Sequence, residues 1–140
     1  MINMKIEIQY VKGMTFVGKG DTNHWVVMDG PAIFGGTDAG TRPMELFLIA
    51  LGGCTGMDVV SLLRKMKVNF TDFKISITVE RKEEHPKIFT KIHIKYMIWG
   101  DVPEDEVKKA IDLSQNRYCP ISEISRKSAE VTYEYEIFKP

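Results

Sequence analysis

Apolar and polar residues alternate from Lys5 to Tyr10, so that Ile6, Ile8 and Tyr10 share one face of an extended segment. Gly13 punctuates the chain before a second short run, Met14 to Val17, and the cluster Gly18-Lys19-Gly20-Asp21 makes a turn. A third strand over His24 to Met28 stops at Asp29-Gly30, which completes a predicted β-meander. Pro31 to Thr41, with its proline and three glycines, reads as a loop.

The period then changes. Pro43 suits the first turn of a helix, where its fixed φ costs nothing, and the stretch to Met66 is helical in composition. The first half of this helix, through Gly52-Gly53-Cys54, is apolar on almost every side, which predicts burial. A domain this small wraps such a helix fully only with the sheet of a partner subunit, so a homodimer is expected. The second half is amphipathic and ends in Arg64-Lys65, favourable at a helix C-terminus.

Two long alternating runs follow, Phe73 to Arg81 and Ile88 to Ile98, separated by the polar turn Glu83-Glu84-His85-Pro86. They predict an antiparallel hairpin. Pro103-Glu104-Asp105-Glu106 opens a second helix that runs through Val107, Ala110 and Ile111 to Tyr118. Cys119-Pro120 interrupts it, Ile121 to Lys127 adds one or two turns, and Val131 to Phe138 is a last strand. The order βββ-α-ββ-α-β describes one α+β domain over residues 1–140.

Charge changes little in this picture. Nineteen basic and nineteen acidic residues cancel, which leaves no footprint for nucleic acid and no polybasic membrane patch. The first residues lack an apolar signal region, and the longest apolar stretch, Leu46 to Leu51, falls short of the ~20 residues that cross a bilayer. The expected compartment is the cytoplasm, where a lasting structural disulfide is disfavoured.

That setting draws attention to the two cysteines. Cys54 follows Arg42-Pro43-Met44-Glu45-Leu46-Phe47 and the buried half-helix, and Cys119 stands in Tyr118-Cys119-Pro120-Ile121-Ser122 at the end of another helix. Taken alone, each is a small buried hydrophobe. His24, His85 and His93 are scattered without ligand spacing, and no glycine-rich phosphate fingerprint is present, so no metal or cofactor site is expected. Trp25, Trp99 and the eight methionines read as packing residues.

The two cysteine contexts, 65 positions apart, together with the element order, resemble the OsmC/Ohr family. In that family a proline opens a buried helix bearing the reactive cysteine, and a second cysteine followed by proline comes after a later helix. Lys12-Gly-Met-Thr-Phe-Val-Gly-Lys19 and Val27-Met-Asp-Gly30 look most like its YhfA-like branch. The resemblance implies antiparallel sheets wrapped around two central helices in an intertwined homodimer, with the active sites at the subunit interface. It further implies a peroxidase in which Cys54 attacks an organic hydroperoxide and becomes a sulfenic acid. Cys119 then closes a disulfide that an external dithiol, such as a lipoylated protein, reopens.

This chemistry needs a thiolate, hence a neighbouring cation or dipole, and Arg42 is the candidate. Two departures from the family pattern stand against this. Family peroxidases draw their arginine from farther upstream, where this chain has Lys12 and Lys19, and their glutamate directly follows the proline, where this chain has Met44. Glu45 comes one residue later, and nine helical steps, about 900°, place it opposite Cys54. Its alternative role is an acid stabilising the first turn. Asp58 lies four residues after Cys54 on the same face, where a carboxylate raises a thiol's pKa. A non-catalytic dimeric protein that binds a hydrophobic ligand, and a thiol redox sensor, remain open on the same fold.

Overall fold

The computed structural model describes residues 3–140, which form two compact units, one reaching to Phe47 and the other starting at Leu48. In the first, β1 (Glu7–Lys12), β2 (Thr15–Lys19) and β3 (Val26–Met28) form an antiparallel sheet in that order. The predicted meander is therefore present, with the register slipping between Tyr10 and Lys12. All six residues of β1 are exposed, Ile8 and Tyr10 included.

After β3 the chain passes through a single 3₁₀ turn, Ala32–Phe34, and returns to pair Thr41 with Met28. Asp29 organises this return. Its carboxylate accepts hydrogen bonds from the Thr15 and Thr37 hydroxyls, both at 2.8 Å, and from the backbone of Gly30 and Ala39 at 2.6 and 3.3 Å. These donors stabilise the ionised form and hold the carboxyl well below the usual carboxylate range, although burial opposes them.

The long helix α1 (Pro43–Lys65) begins at the proline predicted to open it. The Arg42 backbone N–H donates to Glu45 Oε1 at 3.0 Å, the backward half of a capping box. Only a stripe at four-residue spacing, Leu51, Thr55, Val59 and Leu63, is fully buried. Ile49 and Met57, by contrast, are 59% and 76% exposed. The burial expected on all sides of the first half is thus met on one side within the chain.

In the second unit β4 (Asp72–Arg81), β5 (Phe89–Trp99) and β6 (Glu130–Phe138) form one sheet with β5 at its centre. The predicted hairpin pairs Phe73 with Ile98, Ile75 with Tyr96 and Ile77 with Ile94, so the apolar residues of both strands share a face. On β5, Ile94, Tyr96 and Ile98 have no exposed surface. The opposite face is polar, with Lys95 bonded to Glu136 and His93 to Glu134.

β6 departs from the all-antiparallel expectation and runs parallel to β5, from Lys91↔Glu130 to Trp99↔Phe138. The reason is connectivity. A parallel neighbour requires a crossover, supplied here by α2 (Glu104–Leu113), a π-helical turn (Ser114–Tyr118) and α3 (Pro120–Arg126). Helix α1 lies close over the apolar face: a Cβ on Gly56 would come 3.2 Å from Ile75 Cδ1, and one on Gly52 3.4 Å from Ile77 Cδ1. Glycine at these two positions is what lets backbone approach sheet. By length and composition α1 would also cross a bilayer, but the crossing here is over a protein sheet.

Because the carboxyl of Asp29 is depressed in the folded state, it contributes stability above about pH 4 that is lost as pH falls below that value. Asp29→Asn should therefore lower the melting temperature at pH 7, with the gap to the parent narrowing at pH 3. Equal melting temperatures at pH 7 would contradict this role.

Candidate active site

Cys54 sits at the middle of α1, and Asp58 follows one turn later on the same face. The second sulfur arrives from the crossover. At the π-helical turn the Cys119 backbone N–H donates to the Ser114 carbonyl at 2.8 Å, five residues back, before Pro120 starts α3. The structure brings three ligand atoms together: the sulfurs of Cys54 and Cys119 and a carboxylate oxygen of Asp58 all lie within 4.8 Å of one another. Both cysteines are free thiols, Cys119 buried and Cys54 half-buried.

The surroundings are built from hydroxyls. Thr55, directly after Cys54, places Oγ1 2.6 Å from the Tyr96 hydroxyl and 2.7 Å from Ser114 Oγ. Gln115 Nε2 donates to the Tyr96 hydroxyl at 2.7 Å. Ser114 Oγ donates to Asp58 Oδ2 at 2.9 Å, which turns the carboxylate. Thus α1, β5 and the π-helical turn are joined by buried hydrogen bonds around the thiols. Tyr96 is pushed up to about 12, chiefly by its burial.

The electrostatics run against ready ionisation of Cys54. Its thiol is pushed up to about 11, first by burial, then by the hydrogen bond and charge of Cys119, with Asp58 adding to the rise. The Ile121 backbone N–H at the start of α3 works in the other direction. The neighbouring Ser122 N–H donates to Cys119 Sγ at 3.4 Å. A dipole is therefore aimed at the pair, but desolvation and like charge outweigh it.

Arg42 and Glu45 are occupied within the first unit. The Arg42 guanidinium pairs with Asp38 and donates to the Asp29 carbonyl at 3.4 Å, while Glu45 caps the start of α1. Lys19 donates to Asn23 Oδ1 at 2.9 Å and lies over the Trp25 ring. His93 is held by Thr132 and Glu134 on the polar face of the second sheet. Of the residues missed in the sequence, Ser114, Gln115 and Tyr96 carry no signal of their own. Asp58 was not missed, because its four-residue spacing from Cys54 places it on the same helix face.

A small cleft of about 160 Å³, lined by Asp58, Ser61, Leu62, Lys65 and Tyr118, lies at the carboxylate. A larger open groove of about 750 Å³ runs along α1 past Gly53, Met57 and Val60 to Phe73 and Ile75.

A family model described as OsmC-like protein matches residues 36–134. Protein YhfA of Escherichia coli K12 is 36% identical over 135 residues, which span 96% of this chain and 98% of that protein. The crystal structure of a hypothetical protein from Aquifex aeolicus VF5 superposes with a TM-score of 0.88 at 30% identity, covering 100% of this chain and 99% of the other. The organic hydroperoxide resistance protein OhrB of Bacillus subtilis has the same fold, with a TM-score of 0.67 and 17% identity over 96% of this chain and 98% of its own.

With the thiol raised, alkylation of Cys54 by iodoacetamide in reduced, metal-free protein should be slow at pH 7. It should quicken about tenfold per pH unit towards the plateau near pH 11. Asp58→Asn, by removing a negative neighbour, should move the plateau to lower pH. A plateau already reached between pH 6 and 8 would mean that a cation outweighs burial.

Proposed function

The chain belongs to the OsmC-like protein family, and we propose that it acts as a thiol-dependent peroxidase reducing organic hydroperoxides to alcohols. The observation that carries this reading is the approach of the Cys54 and Cys119 sulfurs to within 4.8 Å, from positions far apart in the chain. A disulfide requires the two sulfurs to close to about 2.05 Å.

Cys54 sulfur attacks the terminal peroxide oxygen, the O–O bond breaks, and the departing alkoxide takes the thiol proton to leave as alcohol. The product is Cys54 sulfenic acid. Cys119 sulfur attacks it, forming the disulfide and releasing water, and an external dithiol restores both thiols by exchange. Apolar walls along α1 suit an alkyl hydroperoxide better than hydrogen peroxide. The cytoplasm, with its reducing pool, is the proposed setting. A second reading on the same pair of sulfurs is a sensor whose disulfide closes once without turnover.

A second copy of the chain is the proposed cover for the exposed apolar side of α1, where Ile49 and Met57 face outward beside the groove. Burial of such surface gains about 25 cal/mol per Å². Sedimentation should therefore give a dimer, and Met57→Glu should shift it towards monomer; a monomeric parent would sink the proposal.

The function is tested by supplying cumene hydroperoxide and dihydrolipoamide and following peroxide loss. Wild type should consume many equivalents, Cys54→Ser essentially none, and Cys119→Ser should stop at a sulfenic acid that dimedone traps. Loss of a single equivalent, without further turnover, would support the sensor. Undiminished turnover by Cys54→Ser would remove Cys54 as the nucleophile.

A further inference from the structure

The cluster that serves a redox pair has a second chemical property, which depends on Asp58 and not on any peroxide. Two thiols and a carboxylate whose ligand atoms lie within 4.8 Å of one another are close to the donor set of a tetrahedral metal site. Zinc binds thiolate at about 2.3 Å and carboxylate oxygen at about 2.0–2.2 Å, so tetrahedral ligand atoms stand roughly 3.5–3.8 Å apart. The three ligand atoms need to close by roughly 1 Å to reach that spacing. We propose that Cys54, Asp58 and Cys119 of the reduced protein bind a thiophilic divalent cation of the zinc class, with water in the fourth position.

Several features fit such a cation. Cys54 and Asp58 stand four residues apart on one helix face, so α1 supplies two ligands in fixed relation. Thiolate sulfur selects zinc, cadmium or cobalt over magnesium and calcium. Ser114 Oγ donates to Asp58 Oδ2, leaving the other carboxylate oxygen for a metal, and is itself held by Thr55 at 2.7 Å. Outer partners of this kind orient ligands. The Asp58 cleft gives water a path to an open coordination position. Three protein ligands with one open position is the pattern of a reactive rather than a purely structural zinc site.

Binding displaces both thiol protons and gathers two thiolates and one carboxylate around the cation, so affinity rises with pH. Oxidation to the disulfide removes both sulfur ligands at once and expels the metal. The site is therefore confined to the reduced state, whether or not the protein turns over peroxide.

The test uses the metal alone. Metal-free reduced protein is titrated with Cd²⁺ or Co²⁺ and the sulfur-to-metal charge-transfer absorbance followed; Zn²⁺ stoichiometry is read by competition with a chromophoric chelator. Wild type should take one ion per chain, with the band lost in Cys54→Ser and in Cys119→Ser. Ser114→Ala should weaken binding about 10–100-fold. Protein oxidised with diamide to the disulfide should bind none. Asp58→Asn, checked for native circular dichroism, should weaken binding at least tenfold. An undiminished band in either serine variant overturns the site, and unchanged affinity in Asp58→Asn removes the carboxylate from it. Because no hydroperoxide enters the assay, its failure leaves the peroxidase proposal standing, and the reverse holds as well.

Discussion

A polar group taken out of water must find a partner inside, and the hydroxyl of Thr55 meets that demand three times over. It contacts the Tyr96 hydroxyl, Ser114 Oγ and, at 3.3 Å, Gln115 Nε2, with no surface left exposed. These bonds come from a strand and from the π-helical turn, both remote in sequence from α1. Each unpaired group costs about 1–3 kcal/mol, so removing one member of the network penalises the groups it leaves behind. The placement of both sulfurs follows from this, because Cys54 precedes Thr55 and Cys119 is bonded through its backbone to Ser114.

The same burial that fixes the sulfurs makes Cys54 hard to ionise. Low dielectric around Cys54 disfavours charge, Cys119 and Asp58 add to the penalty, and the Ile121 N–H recovers only part of it. A neighbourhood of this kind penalises a lone thiolate yet suits a positively charged guest, since the guest's charge cancels what the pocket resists. The two proposed activities, peroxide reduction and cation binding, would thus draw on one cluster from opposite electrostatic sides.

Most of the fold was legible because period and punctuation agree in this sequence. Pro43, the alternating runs from Phe73 and Ile88, and the acid-rich start at Glu104 each mark their element in the structure. The parallel pairing of β6 was not legible, since alternation marks a face but not a direction. At the site, the two cysteine contexts and the spacing of Asp58 could be read from residues alone. The hydroxyl network could not, because serine, glutamine and tyrosine look the same in sequence whether they lie in a core or on a surface. Arg42 stands beside the helix start in sequence, and its pairing with Asp38 depends on how the loop returns to Thr41.

The π-helical turn before Cys119 has a meaning beyond shape. Such a turn holds one more residue than an α-helical path between the same ends. Each residue advances a helix by about 100°, so that extra residue sets the angular phase at which the chain leaves the crossover. Trimming it would swing the following sulfur about a quarter-turn aside and disturb the bonds that Ser114 and Gln115 make to Thr55 and Tyr96. Local regularity has been given up here for aim.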